Sequence, residues 1–197
     1  MMVPNHKIIR EKSSTVGTRA ERREISSGVI IYRRVNNEIR FLVLYHGRNQ
    51  WEIPRGKIEA EERSFMAALR ETREETGFTR ADLQFVDYFK AYENWTFIKN
   101  GQKVFKTIIY YLAETKKKHP RIEPSFEGYG WFTYREALQI FMGPKNNENR
   151  KVLKQAHDFL GAKNKSAART QPMRPPRLHS SRPSPHAHKY PETSQEK

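Results

Sequence analysis

The chain has 197 residues, enough for one domain of ordinary size, and its hydrophobic fraction of 36% is low for a chain that is globular throughout. A formal net charge of +15 favours polyanionic partners, which include nucleic acid, nucleotides, inositol phosphates and anionic membrane surfaces. The sequence contains no cysteine, which excludes disulfides, zinc fingers and thiol catalysis. It has neither an apolar run of membrane-spanning length nor a secretory signal at its N-terminus, so a reducing, cytoplasmic location is expected.

The apolar residues are concentrated in the middle of the chain. Residues 1–27 are predicted to be a flexible basic leader, and residues 161–197 a disordered basic tail rich in Pro, Ser and His. Segments of this composition cannot bury enough apolar surface to offset the entropy of ordering. Residues 28–160 are therefore predicted to form the one folded domain.

Within that domain, apolar or alternating runs predict strands at 28–32, 39–45, 83–98, 104–113 and 129–132, the third being one bent strand or two. Asn36-Asn37 predicts a turn, and Asn100-Gly101 is a strong β-hairpin signal. Helices are predicted at 62–76, 134–141 and 148–160. The last helix is predicted to direct these residues inward: Val152, Leu153, Ala156 and Phe159 or Leu160.

The helix predicted at 62–76 carries a cluster of acids. Glu71, Glu74 and Glu75 are three and four residues apart, so they should project together from one side of the helix. Like charges at this spacing repel each other unless a cation lies between them. Carboxylate oxygens are hard ligands that suit Mg²⁺ or Mn²⁺, so the pattern predicts a divalent-metal site.

The opposite side of this helix is predicted to face the core. Its inward residues recur at spacings of four, three and four: Phe65, Leu69, Thr72 and Thr76. Glu61 and Glu62 are placed in the first turn, where negative charge is favourable to the helix dipole. Gly77 is placed just after the last turn as the left-handed residue that ends the helix, with Phe78 as its apolar contact.

These groups indicate hydrolysis of a phosphoanhydride. Metal ions held by the three acids neutralise a pyrophosphate and lower the pKa of an attacking water, while one carboxylate can instead act as general base. Arg70 can hold a neighbouring carboxylate through a bidentate contact. The carbonyl of Gly56 can approach a metal ion closely because the residue has no side chain.

The stretch from Gly56 to Phe78 resembles the signature of the Nudix hydrolases. Five residues separate Gly56 from Glu62, seven more precede the Arg70-Glu71 pair, and the remaining acids, Gly77 and an apolar residue follow at the family spacing. The resemblance implies an α/β fold in which a mixed β-sheet is sandwiched between helices (α/β/α), with a loop-helix-loop metal site. It also implies that Glu71, Glu74 and Glu75 bind the metal ions or supply the base, and that Arg70 orients the glutamate beside it.

Outside the signature, residues 28–34, 51–56, 106–114 and 127–131 resemble the branch of this family that hydrolyses diadenosine tetraphosphate asymmetrically. The resemblance implies that a dinucleoside tetraphosphate is the substrate and that six residues bind it: Arg55, Lys57, Lys106, Tyr110, Tyr129 and Glu127. On the predicted strand, Lys106 can meet the polyphosphate, and Tyr110 on the same face can stack on a base. The chain departs from the branch at Arg55, where a lysine is usual.

Other functions are compatible with the same signature. The enzyme can be an RNA 5′-pyrophosphohydrolase of the decapping type, since Lys/Arg segments bind phosphates without sequence preference. An inositol pyrophosphate is a third substrate class, and a nucleic-acid-binding protein that uses the fold without turnover is a non-enzymatic alternative. The basic tails are expected to bind RNA or another polyanion, and a monomer is expected.

Overall fold

The structure of the protein, a computed structural model, describes residues 22–142 and 147–169. Its strands and helices follow in the order β1 (Arg22–Val35), β2 (Glu38–Tyr45), β3 (Trp51–Glu52), β4 (Arg55–Lys57), α1 (Ser64–Thr76), β5 (Gln84–Phe85), β6 (Ala91–Lys99), β7 (Gln102–Glu114), β8 (Gly128–Thr133), α2 (Tyr134–Ile140) and α3 (Asn147–Arg169). A 3₁₀ turn at Arg80–Asp82 precedes β5. Within these ranges, no helix is long and apolar enough to cross a membrane.

The strands form one mixed sheet with the main order β3-β2-β1-β7-β5. The two long central strands, β1 and β7, run parallel from Arg22 beside Val104 to Tyr32 beside Glu114, and the other pairings are antiparallel. β4 pairs with β1, β6 with β7, and β8 with β2. The hairpin between β6 and β7 turns at Asn100-Gly101, which have φ angles of 51° and 71°, so the predicted turn is confirmed.

Two hydrophobic cores lie on opposite faces of the sheet. Successive residues of β1 alternate between them, as expected for a strand that is buried on both sides. α2 and α3 cover one core, and the predicted inward residues of α3 are found there: Val152, Leu153, Ala156 and Leu160. α1 covers the other core through Ala68. This order of helix, mixed sheet and helix confirms the predicted α/β/α fold.

The folded region is longer at both ends than the sequence predicted. β1 begins at Arg22, because residues 22–27 of the predicted leader pair in parallel with β7. Their polar composition concealed a strand whose Ser26 and Ser27 are buried. α3 continues to Arg169, into the predicted tail. Residues 1–21 and 170–197 lie outside the described residues, so the rest of both predicted tails stays a prediction.

α1 is shorter and oriented differently from the prediction. It begins at Ser64 with no acid in its first turn, because Glu61 and Glu62 belong to the preceding loop. Its end is as predicted: Gly77 has a φ of 70°, and Phe78 is buried. Its buried residues are Ala67, Ala68, Thr72, Glu75 and Thr76. The expectation that the acids face away from the protein is therefore wrong for Glu75, which points to the sheet.

Candidate active site

The candidate catalytic residues meet where β4 leads into α1. Antiparallel pairing of Ser27 with Gly56 holds β4 against β1, and the Val29 N–H donates to the Pro54 carbonyl at 3.2 Å. Gly28 permits this close approach, because a Cβ there would overlap the Pro54 carbonyl oxygen. The backbone of β4 is thereby fixed in front of α1.

β4 contacts two carboxylates that lie one helical turn apart. A Cβ at Gly56 would overlap the carboxylate of Glu71, so glycine is required for that carboxylate to lie against the backbone. The backbone N–H of Arg55 donates to Oε2 of Glu75 at 2.9 Å. Glu71 and Glu75 therefore face the same short piece of backbone.

Both carboxyl groups lie in surroundings that disfavour negative charge. Glu75 is 8% exposed, and burial together with the nearby Glu52 carboxylate raises its pKa to about 8. Burial also raises the pKa of Glu71, and hydrogen bonding to Arg70 opposes that rise. Such carboxylates are stabilised by a cation, and their hard oxygens are the donors that Mg²⁺ prefers.

The donor set fits a divalent ion that keeps open positions. Among the described residues, no group of three or more Asp, Glu or His side chains is already arranged around one metal position. The half-exposed carboxylate of Glu74 accepts from Arg70 at 3.2 Å, from the same nitrogen that donates to Glu71, so its predicted role as a metal ligand stays a prediction. Glu71, Glu75 and the Gly56 carbonyl would hold the ion, while water and substrate phosphate would complete its coordination.

Arg70 ties the loop before α1 to the acids of the helix. Its guanidinium donates to Glu62 at 3.0 and 3.1 Å and to Glu71 at 2.9 Å. It also donates to the Lys57 carbonyl at 2.9 Å. The hydrogen bond from Arg70 lowers the pKa of Glu62, which therefore stays ionised as the counter-ion of the arginine. Arg70 contacts Glu71, as predicted, and Glu62 is its second anchor.

Arg55 is the centre of a second network, on the other side of β4. Its guanidinium lies 3.3 Å from Glu52 and 3.3 Å from Glu93, which is 1% exposed. Burial alone would lower the pKa of Arg55, but these acids and Tyr110 outweigh it and raise the pKa. The Tyr110 hydroxyl lies 3.5 Å from Arg55. Arg55 was predicted to bind substrate, yet these protein groups already surround its guanidinium.

The predicted stacking of a substrate base on Tyr110 is contradicted by the structure. Tyr110 is 0% exposed and belongs to the core beneath α3. Its position on the face of β7 that carries Lys106 is as predicted, but that face is covered at Tyr110. The alternation of side chains along β7 predicted the face on which Tyr110 lies. Whether a residue on that face is buried depends on which helix covers it.

Lys106 is a predicted phosphate ligand whose side chain is only 12% exposed, whereas Lys57 is exposed. Its ammonium group donates to Ser26 Oγ at 2.7 Å and lies 3.9 Å from Glu24. Burial lowers the pKa of Lys106; Glu24 opposes this, and nearby Arg55, Lys57 and Lys99 lower the pKa further. Lys57 pairs with Ser26, the residue that accepts from Lys106, so the two lysines lie near each other, and their shared role in binding substrate stays a prediction.

Glu127 and Tyr129 are placed away from Lys106. Glu127 is exposed, and its carboxylate fills the space that a side chain at Gly47 would need. Tyr129 packs against the core beneath α1, and its hydroxyl lies 3.3 Å from Nδ1 of His119. Glu127 therefore lies in the loop just before β8, and Tyr129 lies in β8 itself, paired with β2.

Sequence reasoning missed three residues of this region. Glu52 lies 2.6 Å from His46 and links it to Arg55, and Glu93 binds Arg55 from the edge of the core. Trp95 is half-buried directly opposite Lys106. The inner face of β6 is formed by Ala91, Glu93, Trp95 and Phe97. A single acid on this otherwise apolar face was the sequence signal that could have identified Glu93.

An α/β/α fold that brings a buried and a partly buried carboxylate, Glu75 and Glu71, together beside one loop is typical of metal-dependent enzymes that hydrolyse phosphate compounds. The chain belongs to the Nudix family: the NUDIX domain model matches residues 22–156. The family predicted from the signature is thus confirmed.

The relatives within this family act on nucleotides or RNA according to their names. The chain is 34% identical over 143 residues to the asymmetrical bis(5′-nucleosyl)-tetraphosphatase of Mus musculus, which covers 68% of this chain and 92% of that protein. It is 26% identical to an RNA pyrophosphohydrolase of Mannheimia succiniciproducens, over 61% of this chain and 68% of that protein. A crystal structure of a C. elegans Ap4A hydrolase binary complex shares the fold, with a TM-score of 0.60, 24% identity and coverage of 71% of this chain and 98% of that one.

Proposed function

We propose that the protein is a divalent-metal-dependent pyrophosphohydrolase that cleaves a phosphoanhydride bond of a dinucleoside polyphosphate, with diadenosine tetraphosphate as its substrate. The observation that carries the proposal is the position of Lys106 and Lys57, which meet at Ser26 beside the β4 backbone that contacts Glu71 and Glu75. A group of cations beside buried carboxylates suits a chain of phosphates at a hydrolytic centre. The name of the mouse relative supports the choice of substrate.

The residues of the site have separate tasks in this reaction. Glu71 and Glu75 would hold Mg²⁺, with Mn²⁺ as a substitute; the bound ion supplies charge neutralisation and a lowered pKa for the attacking water. Arg70 holds Glu71, and the Arg55 N–H holds Glu75. The proton of the attacking water passes to a carboxylate of α1, which is Glu71, Glu74 or Glu75.

The substrate is bound on the face of the sheet that carries Lys106. Lys106 and Lys57 bind phosphate oxygens, and Ser26 directs the ammonium group of Lys106. Because Tyr110 is buried, the half-buried Trp95 opposite Lys106 takes the role of stacking on a base. Arg55 then braces β4 through Glu93 and Glu52 rather than acting as a phosphate ligand.

A substrate panel with product identification tests the proposal. Diadenosine tetraphosphate, a 5′-triphosphorylated RNA and an inositol pyrophosphate are each incubated with Mg²⁺ or Mn²⁺, for wild type and Glu75→Gln. We expect wild type to hydrolyse diadenosine tetraphosphate fastest and the variant to be nearly inactive. A wild-type protein that is inert on the whole panel would refute the enzymatic proposal and favour the nucleic-acid-binding alternative.

RNA 5′-pyrophosphohydrolysis is the second candidate function. The relatives named RNA pyrophosphohydrolase, together with the net charge of +15, favour it. It predicts release of pyrophosphate or phosphate from triphosphorylated RNA at a higher kcat/KM than from any dinucleotide. Cell fractionation and sedimentation test the proposed cytoplasmic location and the monomeric state.

A further inference from the structure

The strands β1, β6 and β7 have an exposed face on the side opposite Lys106. The register places Arg23 beside Phe105, Ile25 beside Thr107, and Ile98 opposite Lys103. Tyr92 lies opposite Ile109 on the same face. We call this surface the outer sheet face and define it by Arg23, Ile25, Tyr92, Ile98, Lys103 and Phe105. Unlike the neighbouring part of the same side, which α1 covers, it bears exposed apolar side chains.

Large apolar side chains on the outer sheet face are open to solvent. Ile25 is 47% exposed, Tyr92 51% and Ile98 68%. Beside them is a cavity of about 300 Å³ lined by Arg23, Ile25, Phe105 and Thr107. Exposed apolar groups gathered in one place, next to a cavity, indicate a surface that binds a partner.

The charge on this face is of one sign. Its charged residues in the three strands are Arg23 and Lys103, whereas Glu24 and Glu93 lie on the other face, where they contact Lys106 and Arg55. The ammonium group of Lys103 lies 4.8 Å from the centre of the Phe105 ring. Lys90 adds a third cation over the Tyr111 ring, at the border with α1. The partner is therefore expected to be a polyanion with flat or apolar groups.

Single-stranded RNA has this combination of groups. Its bases stack on exposed aromatic rings of a β-sheet, while its phosphates bind the cations at the margin. Polar side chains lie between the aromatic rings: Asn94 and Thr96, which are exposed, and Thr107, which is partly buried. Asn94 accepts from the Thr107 hydroxyl at 2.9 Å, which orients its amide group, and such groups can bind base edges and 2′-hydroxyls.

The outer sheet face adjoins the catalytic loop. The Ile58 N–H donates to the Ile25 carbonyl at 3.1 Å, and Ser26 pairs with Lys57. We infer that the outer sheet face docks single-stranded RNA. This surface is separate from the phosphate-binding face proposed above, since the two occupy opposite faces of the same strands. Its occupancy needs no phosphoanhydride and therefore does not depend on which substrate is hydrolysed.

Direct binding of an RNA without a reactive 5′ end tests this inference. The full chain is titrated into a 5′-hydroxyl oligouridylate labelled at its 3′ end, and fluorescence anisotropy is recorded over a series of salt concentrations. Tyr92→Ala should weaken binding about tenfold, as expected for loss of one base stack, and Tyr92→Phe should restore it. Arg23→Ala and Lys103→Ala should each lower the salt slope by about 0.7.

The controls separate this face from basic sequence elsewhere. Arg135→Ala removes an exposed cation from α2, on the other side of the sheet, and should leave the salt slope unchanged. Tyr92→Leu keeps an apolar side chain and should bind as weakly as Tyr92→Ala. Tyr92 has no role in the proposed hydrolysis, so Tyr92→Ala should hydrolyse diadenosine tetraphosphate at the wild-type rate.

Three results would overturn the inference. Binding by Tyr92→Ala and Lys103→Ala that equals wild type would show that other basic segments retain the RNA. Equal affinity for a 2′-deoxy oligonucleotide would contradict the assignment to RNA. A dimer in light scattering that Ile98→Asp converts to monomer would show that a second copy covers this face. Each result can arise whether or not the protein is a pyrophosphohydrolase.

Discussion

Arg55 and Arg70 stand on either side of the two buried carboxylates and hold the site in different ways. Both side chains are 22% exposed. The partners of Arg70 come from its own helix and the loop before it, and Glu74 among them is 47% exposed. The partners of Arg55 include Glu93, from a distant strand, which is 1% exposed. The other acids of Arg70, Glu62 and Glu71, are 16% and 15% exposed, so its network is partly open to water, whereas the network of Arg55 extends to a fully buried acid.

The difference indicates how function and stability are divided at this site. Removing Arg70 leaves acids of which none is fully buried, so the main loss is the orientation of Glu71. Removing Arg55 takes away a cation that a buried acid contacts, and the desolvation of that acid is then less compensated. We therefore expect Arg70 to matter chiefly for catalysis and Arg55 chiefly for the free energy of unfolding.

The largest effect is expected at Glu75, which lies between the two arginine networks. Its carboxylate accepts from the Arg55 N–H and belongs to the acids of α1. Glu75→Gln keeps the size of the side chain but removes the charge that holds a metal ion or accepts a proton. It should lower kcat by about 10²–10⁴-fold. Steady-state hydrolysis of diadenosine tetraphosphate with Mg²⁺ measures this, with Glu123→Gln as an exposed control. A wild-type kcat in Glu75→Gln would show that Glu75 takes no part in catalysis.

Arg55→Met tests the buried network of Arg55 by its effect on the free energy of unfolding. Because Glu93 is buried beside the guanidinium, the substitution should lower the free energy of unfolding by about 3 kcal/mol. Arg70→Met should lower it by less, about 1 kcal/mol, since none of its carboxylate partners is as buried as Glu93. Urea denaturation of both variants at neutral pH checks the prediction. Equal losses would mean that the two networks do not differ in the proposed way.

Arg70→Ala tests the role of Arg70 by its effect on catalysis. Residues that orient a metal-binding carboxylate usually contribute about 10–100-fold to metal affinity or rate, and a loss of that size in kcat is expected. The same variant should need more Mg²⁺ for half-maximal activity. Arg73→Ala, one turn along the exposed side of α1, is the matched control. If Arg70→Ala and Arg73→Ala have the same metal requirement, Arg70 does not orient Glu71.

The smallest expected effect is a pH dependence of stability in the metal-free protein. The pKa of Glu75 is raised from 4.5 to about 8 in the folded state, so folding favours its protonated form. The free energy of unfolding should therefore fall as pH rises from about 4.5 through 8, by about 1–3 kcal/mol. Glu75→Gln should lack this decrease. Urea denaturation in EDTA at pH 5, 7 and 9 measures it, and parallel curves for the two proteins would contradict it.

Arg70 and its acids could be predicted because their geometry is local. Helical spacing places Glu71 and Glu74 within reach of Arg70, and glycine at Gly77 marks the end of the helix whatever the rest of the fold does. The signature also led to the correct family and to the α/β/α fold. The predicted orientation of α1 about its own axis was nevertheless wrong for Glu75. This residue points to β4, and helical periodicity alone does not show which side of a helix faces that strand.

Arg55 and its partners could not be predicted because they depend on strand register. Glu93 reaches Arg55 only when β6 pairs with β7 and β7 with β1, and a shift of one residue would turn Glu93 to the other face. Register also determined that Tyr110 is buried and that Trp95 lies opposite Lys106. The strand at residues 22–27 was missed because its polar side chains carry no apolar alternation.

The proposed reaction is tested most directly by mass-spectrometric identification of the products formed from diadenosine tetraphosphate in ¹⁸O-water with Mg²⁺. Attack of water at one end of the phosphate chain predicts unequal products, AMP and ATP, with one ¹⁸O in a single product. Glu75→Gln should form neither product at a measurable rate. Two molecules of ADP, or an unchanged substrate with wild-type protein, would contradict the proposed reaction.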